Sequence, residues 1–281
     1  MKIVEKQFDK KLLKLYSEIK EKCNKEFIDL TIVNNVYLIF QKLIENKNTN
    51  GNYVECGVFV GGTLMSVVNF TKENDINFNF IGVDTFEGFP VKTGYNENDL
   101  PQKFKNLYDN NSISKEHFEK AKDRTDNLSD ISHLEPPYFK SDFSFLFDFC
   151  EKNDITLIKG EFEKSLSESK YFDNEFNSLF RFCDKKGVSL LKGKFEDSLV
   201  DFDKEIDILH IDCDLYESYL ECLNKLYENV VVGGSIIFDE YYSHKYPGAR
   251  IAVNEFFEDK KGYFEKYITS EGFERWCFVK G

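Results

Sequence analysis

A chain of 281 residues, 41% apolar and 16% aromatic, can bury one sizeable core, or one core with an insertion, and is not a disordered polypeptide. Its formal charge of −13 and pI near 4.9 disfavour a sequence-independent grip on nucleic acid, which needs Lys and Arg against the phosphates. Met1–Lys6 has no apolar signal region, no apolar run is long enough for a membrane span, and the seven cysteines are scattered with no C-x-x-C pair, which together predict a cytoplasmic protein with free, buried thiols.

Residues 1–50 read as an N-terminal helical cap, with Val33, Val36, Tyr37, Ile39, Leu43 and Ile44 at roughly helical spacing. The Asn-rich stretch 46–52 ends it, and residues 51–281 read as one further domain. A strand over 53–58 runs into a glycine-spaced turn, Gly57 to Gly61-Gly62, and a helix over 61–73. Glycine tolerates positive φ and lets the backbone approach a ligand, and the helix start offers free N–H groups. A second strand over 78–84 ends in Asp84, spaced to meet a ribose diol. The turn lacks the G-x-G-x-x-G pattern that seats a pyrophosphate, so the cofactor expected is one without phosphates, such as S-adenosylmethionine, rather than NAD. Residues 91–140 are polar and irregular, in the manner of a lid over a substrate or of a surface insertion.

An internal duplication follows. Residues 142–166 and 175–199 align without a gap at an offset of 33, with 13 identities in 25 positions. Each copy reads as helix, turn and short strand, then Lys-Gly-x-Phe-Glu-x-Ser-Leu. Two copies are too few for a solenoid.

Residues 206–212 form a strand ending in Asp212. Asp214-Leu215-Tyr216-Glu217 has the pattern of a capping box opening the next helix. Gly233-Gly234 leads to a strand ending at Asp239-Glu240, a last helix spans about 249–259, and 273–279 reads as a closing strand. Alternating strands and helices predict a mostly parallel sheet covered on both faces. Ligands of such sheets bind at the carboxyl ends of the strands, where Glu55, Asp84, Asp212, Asp239 and Glu240 all stand. Crowded carboxylates repel one another, and a cation relieves that, so Asp212, Asp239 and Glu240 form a candidate site for Mg²⁺ or another divalent ion. Asp212-Cys213-Asp214 also fits the D-x-D motif of a metal-dependent glycosyltransferase that uses a nucleotide sugar. That is the alternative function, although such an enzyme has no need of the early glycine turn.

Five blocks, in order, resemble the macrocin O-methyltransferase family. They are Val54-Glu55-Cys56-Gly57-Val58-Phe59-x-Gly61-Gly62-Thr63, Asp84-Thr85-Phe86-Glu87-Gly88-Phe89-Pro90, Gly193-x-Phe195-x-Asp197-Ser198-Leu199, His210-Ile211-Asp212-Cys213-Asp214-Leu215-Tyr216-Glu217-Ser218, and Asp239-Glu240-Tyr241 with Pro247-Gly248-Ala249-Arg250-x-Ala252-Val253. The resemblance implies a Rossmann-like class I methyltransferase with a mostly parallel, seven-stranded sheet. It also implies transfer of a methyl group from S-adenosylmethionine, assisted by Mg²⁺, to a hydroxyl of a sugar or glycosylated metabolite. Glu55, Gly57, Gly61 and Thr63 would line the methionine and ribose end, Asp84 and Thr85 would hold the ribose, Phe195 and Glu196 would border the adenine, and Asp212 would lie beside both cofactor and metal. Asp212 is the first candidate for the base that takes the hydroxyl proton, and His244 the second. His117 and His133 lie in the lid segment, and His210, within a strand, reads as core. The family usually has Asp-Asp where this chain has Asp239-Glu240. The partner expected is a small-molecule or glycan acceptor, with no nucleic acid and no membrane span; a homo-oligomer is left open.

Overall fold

The computed structural model describes residues 2–10, 12, 30–47, 50–59, 61–85, 99–124, 183–268 and 274–281. The first duplicate copy, His133 and much of the lid segment lie outside these residues; of the second copy, residues 183–199 are described.

Eight strands form one sheet: β1 (Ile3–Lys6), β2 (Asn52–Cys56), β3 (Asn79–Asp84), β4 (Ser189–Lys192), β5 (Ile206–Ile211), β6 (Val230–Phe238), β7 (Gly262–Ile268) and β8 (Glu274–Lys280), in the order β1-β7-β8-β6-β5-β2-β3-β4. Every pairing is parallel except those of β8 with β6 and β7. The resemblance implies seven strands where the sheet has eight, and two of these, β1 and β7, are not read from the sequence; β1 adds to the free edge of β7 in a stretch expected to be helical. β1 is exposed along most of its length, so its own residues carry no buried-strand pattern and its pairing comes from β7.

The pleat divides the apolar residues between two cores. On one face α1 (Leu30–Glu45) and α2 (Gly62–Glu73) cover Tyr53, Ile208, Ile237 and Tyr267. On the other, α3 (Leu100–Asp109), α6 (Tyr216–Leu226) and α7 (Pro247–Phe256) cover Val54, Leu209, Ile211, Ile236 and Phe238. Two further short α-helices are α4 (Lys115–Ala121) and α5 (Phe195–Ser198). The described part of the lid segment, 99–124, is held to α7, where Arg250 donates to the Ser112 carbonyl at 2.8 Å and Lys103 pairs with Glu255 at 2.9 Å. The five described cysteines are buried and free, and no helix among the described residues is long and apolar enough to cross a membrane.

The helix after β5 does not start as the capping box predicts. Its N-cap is Leu215 and makes no side-chain cap bond, while Asp214 adopts a left-handed φ of 62°. Lys245 and the Tyr246 hydroxyl act on the Asp214 carboxyl and partly offset the effect of its burial.

The α1 face carries an ionic tie. Lys42 of α1 pairs with Glu265 of β7, and both side chains are 3% exposed. Glu265 also accepts from the Tyr267 hydroxyl at 2.9 Å and lies 3.3 Å from Lys6 of β1. Burial works against both charges, yet the Lys42 pKa is raised by Cys277, Tyr267, Glu265 and Glu45 around it, and that of Glu265 is lowered, chiefly by Lys42. Removing Glu265 leaves Lys42 buried with only the partly exposed Glu45, 2.9 Å away, as partner, and breaking a buried pair in this way costs up to about 3–5 kcal/mol. Glu265→Ala is therefore expected to lower stability by that amount in urea unfolding, and Lys42→Met combined with Glu265→Leu to recover most of it. A loss below about 1 kcal/mol in the single variant would show that the pair does not anchor α1.

Candidate active site

The carboxyl ends of β2, β3, β5 and β6 converge, and backbone hydrogen bonds stitch the connections that leave them. Gly57 N–H donates to the Val83 carbonyl at 2.9 Å, Asp212 N–H to Cys56 at 2.9 Å, Asp239 N–H to Ile211 at 3.0 Å and Gly193 N–H to Asp84 at 3.0 Å. The β2–α2 turn crosses so close to β5 that a Cβ on Gly57 would lie 1.8 Å from the Asp212 carbonyl oxygen, and Gly57 has a φ of +89°. Gly61, φ +86°, caps α2, and Thr63 lies half-buried in its first turn. Between them Phe59 is held at φ 48°, its N–H donating at 2.8 Å to Asp84 Oδ2, while Asp84 Oδ1 lies 3.4 Å from the Thr85 hydroxyl. Asp84 therefore holds the glycine turn, and the bond from Gly193 brings Phe195 and Glu196 on α5 to the same strand end.

Strand register sets the next group. Glu55 of β2 lies opposite His210 of β5, which lies opposite Ile237 of β6. Side chains two apart share a face, so Asp212 and Asp239 follow His210 and Ile237 on that side. His210 Nδ1 is 3.7 Å from Glu55 Oε2, and Nε2 is 3.7 Å from Asp239 Oδ1. The Tyr53 hydroxyl donates to Glu55 at 2.5 Å and lies 3.3 Å from His210 Nδ1. Burial opposes a charge on His210, but Asp239 and Glu55 outweigh it and push its pKa up to about 10. His210, expected to be inert core, is thus part of the site; its parity with Asp212 was the signal in the sequence.

Four carboxyl groups crowd the same corner. Burial, and then Asp239 beside it, pushes Asp212 well above the usual carboxylate range, with His210 partly offsetting the effect. Glu240, 4% exposed, is raised by burial, Asp239 and Asp212. Asp214 is pushed up to about 7 by burial, with Asp239 and Asp84 adding to it and Lys245 and Tyr246 opposing. Isolated carboxylates at this spacing hold protons rather than all ionise. The Tyr219 hydroxyl illustrates this. It lies 2.9 Å from the Ile211 carbonyl and 2.6 Å from Glu240 Oε2, and accepts from Glu240 N–H at 3.2 Å. A hydroxyl has one proton to donate, and a protonated Glu240 donating to Tyr219 satisfies all three contacts.

Among the described residues, the three metal-donor side chains whose atoms come within 4.8 Å of one another are His210, Asp212 and Asp239. Glu240 meets Tyr219 and Asp212 instead. His244 packs its ring on His117 and Tyr242, at centroid distances of 4.6 and 5.9 Å. His117 is 2% exposed, and burial, with Arg250 and His244 nearby, pushes its pKa down to about 3. Through these ring contacts His117 joins the lid segment to the loop after β6.

An open, mostly parallel α/β sheet with a glycine turn after its first central strand and acidic residues at successive strand ends is the architecture of a class I methyltransferase. The chain matches the macrocin O-methyltransferase (TylF) family over residues 31–169 and 162–263, and it belongs to that family. The two matched stretches overlap at 162–169, which begins inside the first copy of the duplicated block and ends before the second. Among solved structures it is similar to the O-methyltransferase NovP, with a TM-score of 0.50 and 20% identity over 89% of this chain and 80% of that one. It is also similar to the calicheamicin methyltransferase CalS11, with a TM-score of 0.45 and 17% identity over 88% and 79%. The S-adenosylhomocysteine-bound methyltransferase PaMTH1 of Podospora anserina has a TM-score of 0.39 and 8% identity over 98% and 89%. No curated protein sequence matches the chain. The protein is an O-methyltransferase, and the family match gives no support to the glycosyltransferase alternative.

Asp214 gives a pH test of the crowding. Its pKa rises from 3.8 to about 7, so the folded state holds this proton more tightly than the unfolded chain does. The stability this contributes is fully present below 3.8 and lost as pH rises through about 7. Asn tolerates the left-handed φ of Asp214 and does not ionise. In EDTA, Asp214→Asn is expected to melt above the native chain at pH 8 and to lose that advantage by about pH 4. Parallel melting curves across this range would contradict the assignment.

Proposed function

We propose that the protein transfers a methyl group from S-adenosylmethionine to a hydroxyl of a sugar or glycosylated metabolite, with Asp212, Asp239 and Glu240 holding a divalent cation. The observation that carries this is the meeting, at one rim of one sheet, of a glycine turn held by Asp84 and a corner of carboxyl groups that cannot all be charged. Membership of a family of O-methyltransferases supports it, and so does the fold shared with the O-methyltransferase NovP.

Glu55, Gly57, Gly61 and Thr63 line the methionine end of the donor. Asp84 and Thr85 take the ribose hydroxyls, and Phe195 and Glu196 border the adenine. The residues fit a cation by their chemistry: Asp239 Oδ1 is buried without a hydrogen-bond partner, and the neighbouring carboxyls are oxygen donors whose mutual repulsion a cation relieves. A bound cation would lower the pKa of an alcohol and orient it. The family's second Asp is Glu240 here, and Tyr219 holds its longer side chain back, so Asp212 and Asp239 are the principal ligands. Asp212 accepts the proton of the acceptor hydroxyl, with His244 as the second candidate. The acceptor oxygen attacks the sulfonium methyl carbon, a C–O bond forms, the S–C bond breaks, and S-adenosylhomocysteine leaves. Positioning supplies much of the rate. The acceptor is recognised by the N-terminal residues and the lid segment.

Of the two copies of Lys-Gly-x-Phe-Glu-x-Ser-Leu, the second serves the donor, because it follows β4 and leads directly into β5. The first copy and its Phe162 and Glu163 lie outside the described residues.

S-adenosylhomocysteine, and not UDP-sugars, is expected to raise the melting temperature. Asp84→Ala is expected to weaken its binding at least about ten-fold, the scale of a lost charge-assisted hydrogen bond. Phe195→Ala and Glu196→Ala should weaken it too, and Phe162→Ala and Glu163→Ala should leave it unchanged. Calorimetric titration reads all five. Native affinity in Asp84→Ala would displace the ribose, and weakening by the first-copy variants alone would reverse the assignment of the copies.

A further inference from the structure

His210 stands between the two halves of the site, and no role proposed above uses it. Its ring is 0% exposed. Nδ1 faces Glu55 of the glycine-turn strand and Nε2 faces Asp239 of the carboxylate corner, each at 3.7 Å. Both distances are longer than a good hydrogen bond. His210 Nε2, Asp239 Oδ1 and Glu55 Oε1 are all buried and make no hydrogen bond. The ring is thus shared between two carboxylates and satisfies neither. Its place is enforced by the strand register, in which Glu55, His210 and Ile237 form one row across β2, β5 and β6. The Tyr53 hydroxyl closes the Glu55 side of the row.

We propose that His210 is a positioning residue that couples the donor site to the cation site, so that the two ligands bind with linked affinities. The proposal rests on the functional reading above, in which Glu55 lines the methionine end and Asp239 holds the cation. A cation that draws Asp239 away leaves the ring to Glu55, which is then less available to the donor's methionine end. A donor that engages Glu55 leaves the ring to Asp239, which is then less available to the cation. One ring serving two carboxylates makes the two ligands oppose each other, and the factor must be the same in both directions.

The test is calorimetry on the full chain with S-adenosylhomocysteine and Mn²⁺. Each is titrated alone, then each in the presence of saturating amounts of the other. In the native chain each ligand is expected to weaken the other about five-fold or more, by equal factors. In His210→Gln both ligands should still bind singly, and the factor should fall to about one. Tyr53→Phe, which removes the hydroxyl between Glu55 and the ring, is the second variant should His210→Gln not fold, and the factor should change in it as well. Equal affinities with and without the second ligand in the native chain would overturn the proposal, as would an unchanged factor in the variants. Loss of all Mn²⁺ binding in His210→Gln would also overturn it, since the ring would then be a ligand rather than a bridge. Failure of S-adenosylhomocysteine to bind the native chain at all would instead overturn the functional reading, and the proposal with it.

Discussion

The site depends on one constraint: four carboxyl groups, Asp212, Asp214, Asp239 and Glu240, occupy a corner that cannot hold four negative charges. Without a cation they share protons, and burial together with their mutual repulsion raises Asp212, Asp214 and Glu240. The surrounding structure keeps them close against that repulsion. The parallel register of β2, β5 and β6 fixes where the chains end, and the backbone bonds from Asp212 to Cys56 and from Asp239 to Ile211 fix where the side chains start. His210 beneath the corner and Tyr219 beside it each take up part of the charge. A fold that spends stability on such a cluster keeps it for a ligand that removes the penalty.

The same closeness explains the glycine turn. Gly57 passes against the Asp212 carbonyl with no room for a side chain, so the turn that leaves β2 and the acidic end of β5 touch directly. Asp84 then fastens the rest of the turn through Phe59. The parts proposed for the donor and for the cation are therefore built from adjoining backbone. The Lys42–Glu265 tie is remote from this work. It holds α1 across β7, on the face of the sheet where the Glu55, His210 and Ile237 row also lies.

Much of the site was legible in the sequence because strand ends are. A continuous apolar run followed by an acidic residue marks the carboxyl edge of a parallel strand, and Glu55, Asp84, Asp212 and Asp239 all lie where that pattern puts them. What was not legible depended on partners distant in the chain. β1 is a strand because β7 offers an open edge, and its mostly exposed residues carry no periodicity of their own. β7 follows α7 after a short turn and went unrecognised because its pairing with β8 reaches across the hairpin. Asp214 has the spacing of a helix cap, but it takes a left-handed φ and the helix starts after Leu215 with no side-chain cap bond. His210 was hidden by its own apolar strand, since burial in a core and burial in a site look alike from composition. The duplication was plain as a repeat, and the family match is split between the copies.

The central claim is that the carboxylate corner and the glycine turn together perform methyl transfer to a hydroxyl. The direct measurement is transfer of label from methyl-labelled S-adenosylmethionine to a glycan and metabolite extract of the source organism. It is made with divalent cation, with excess EDTA, and with the Asp239→Ala variant. The account predicts label in a base-stable ether on a sugar hydroxyl in the first case, and none in the other two. No transfer in any case, or undiminished transfer in EDTA, would contradict it.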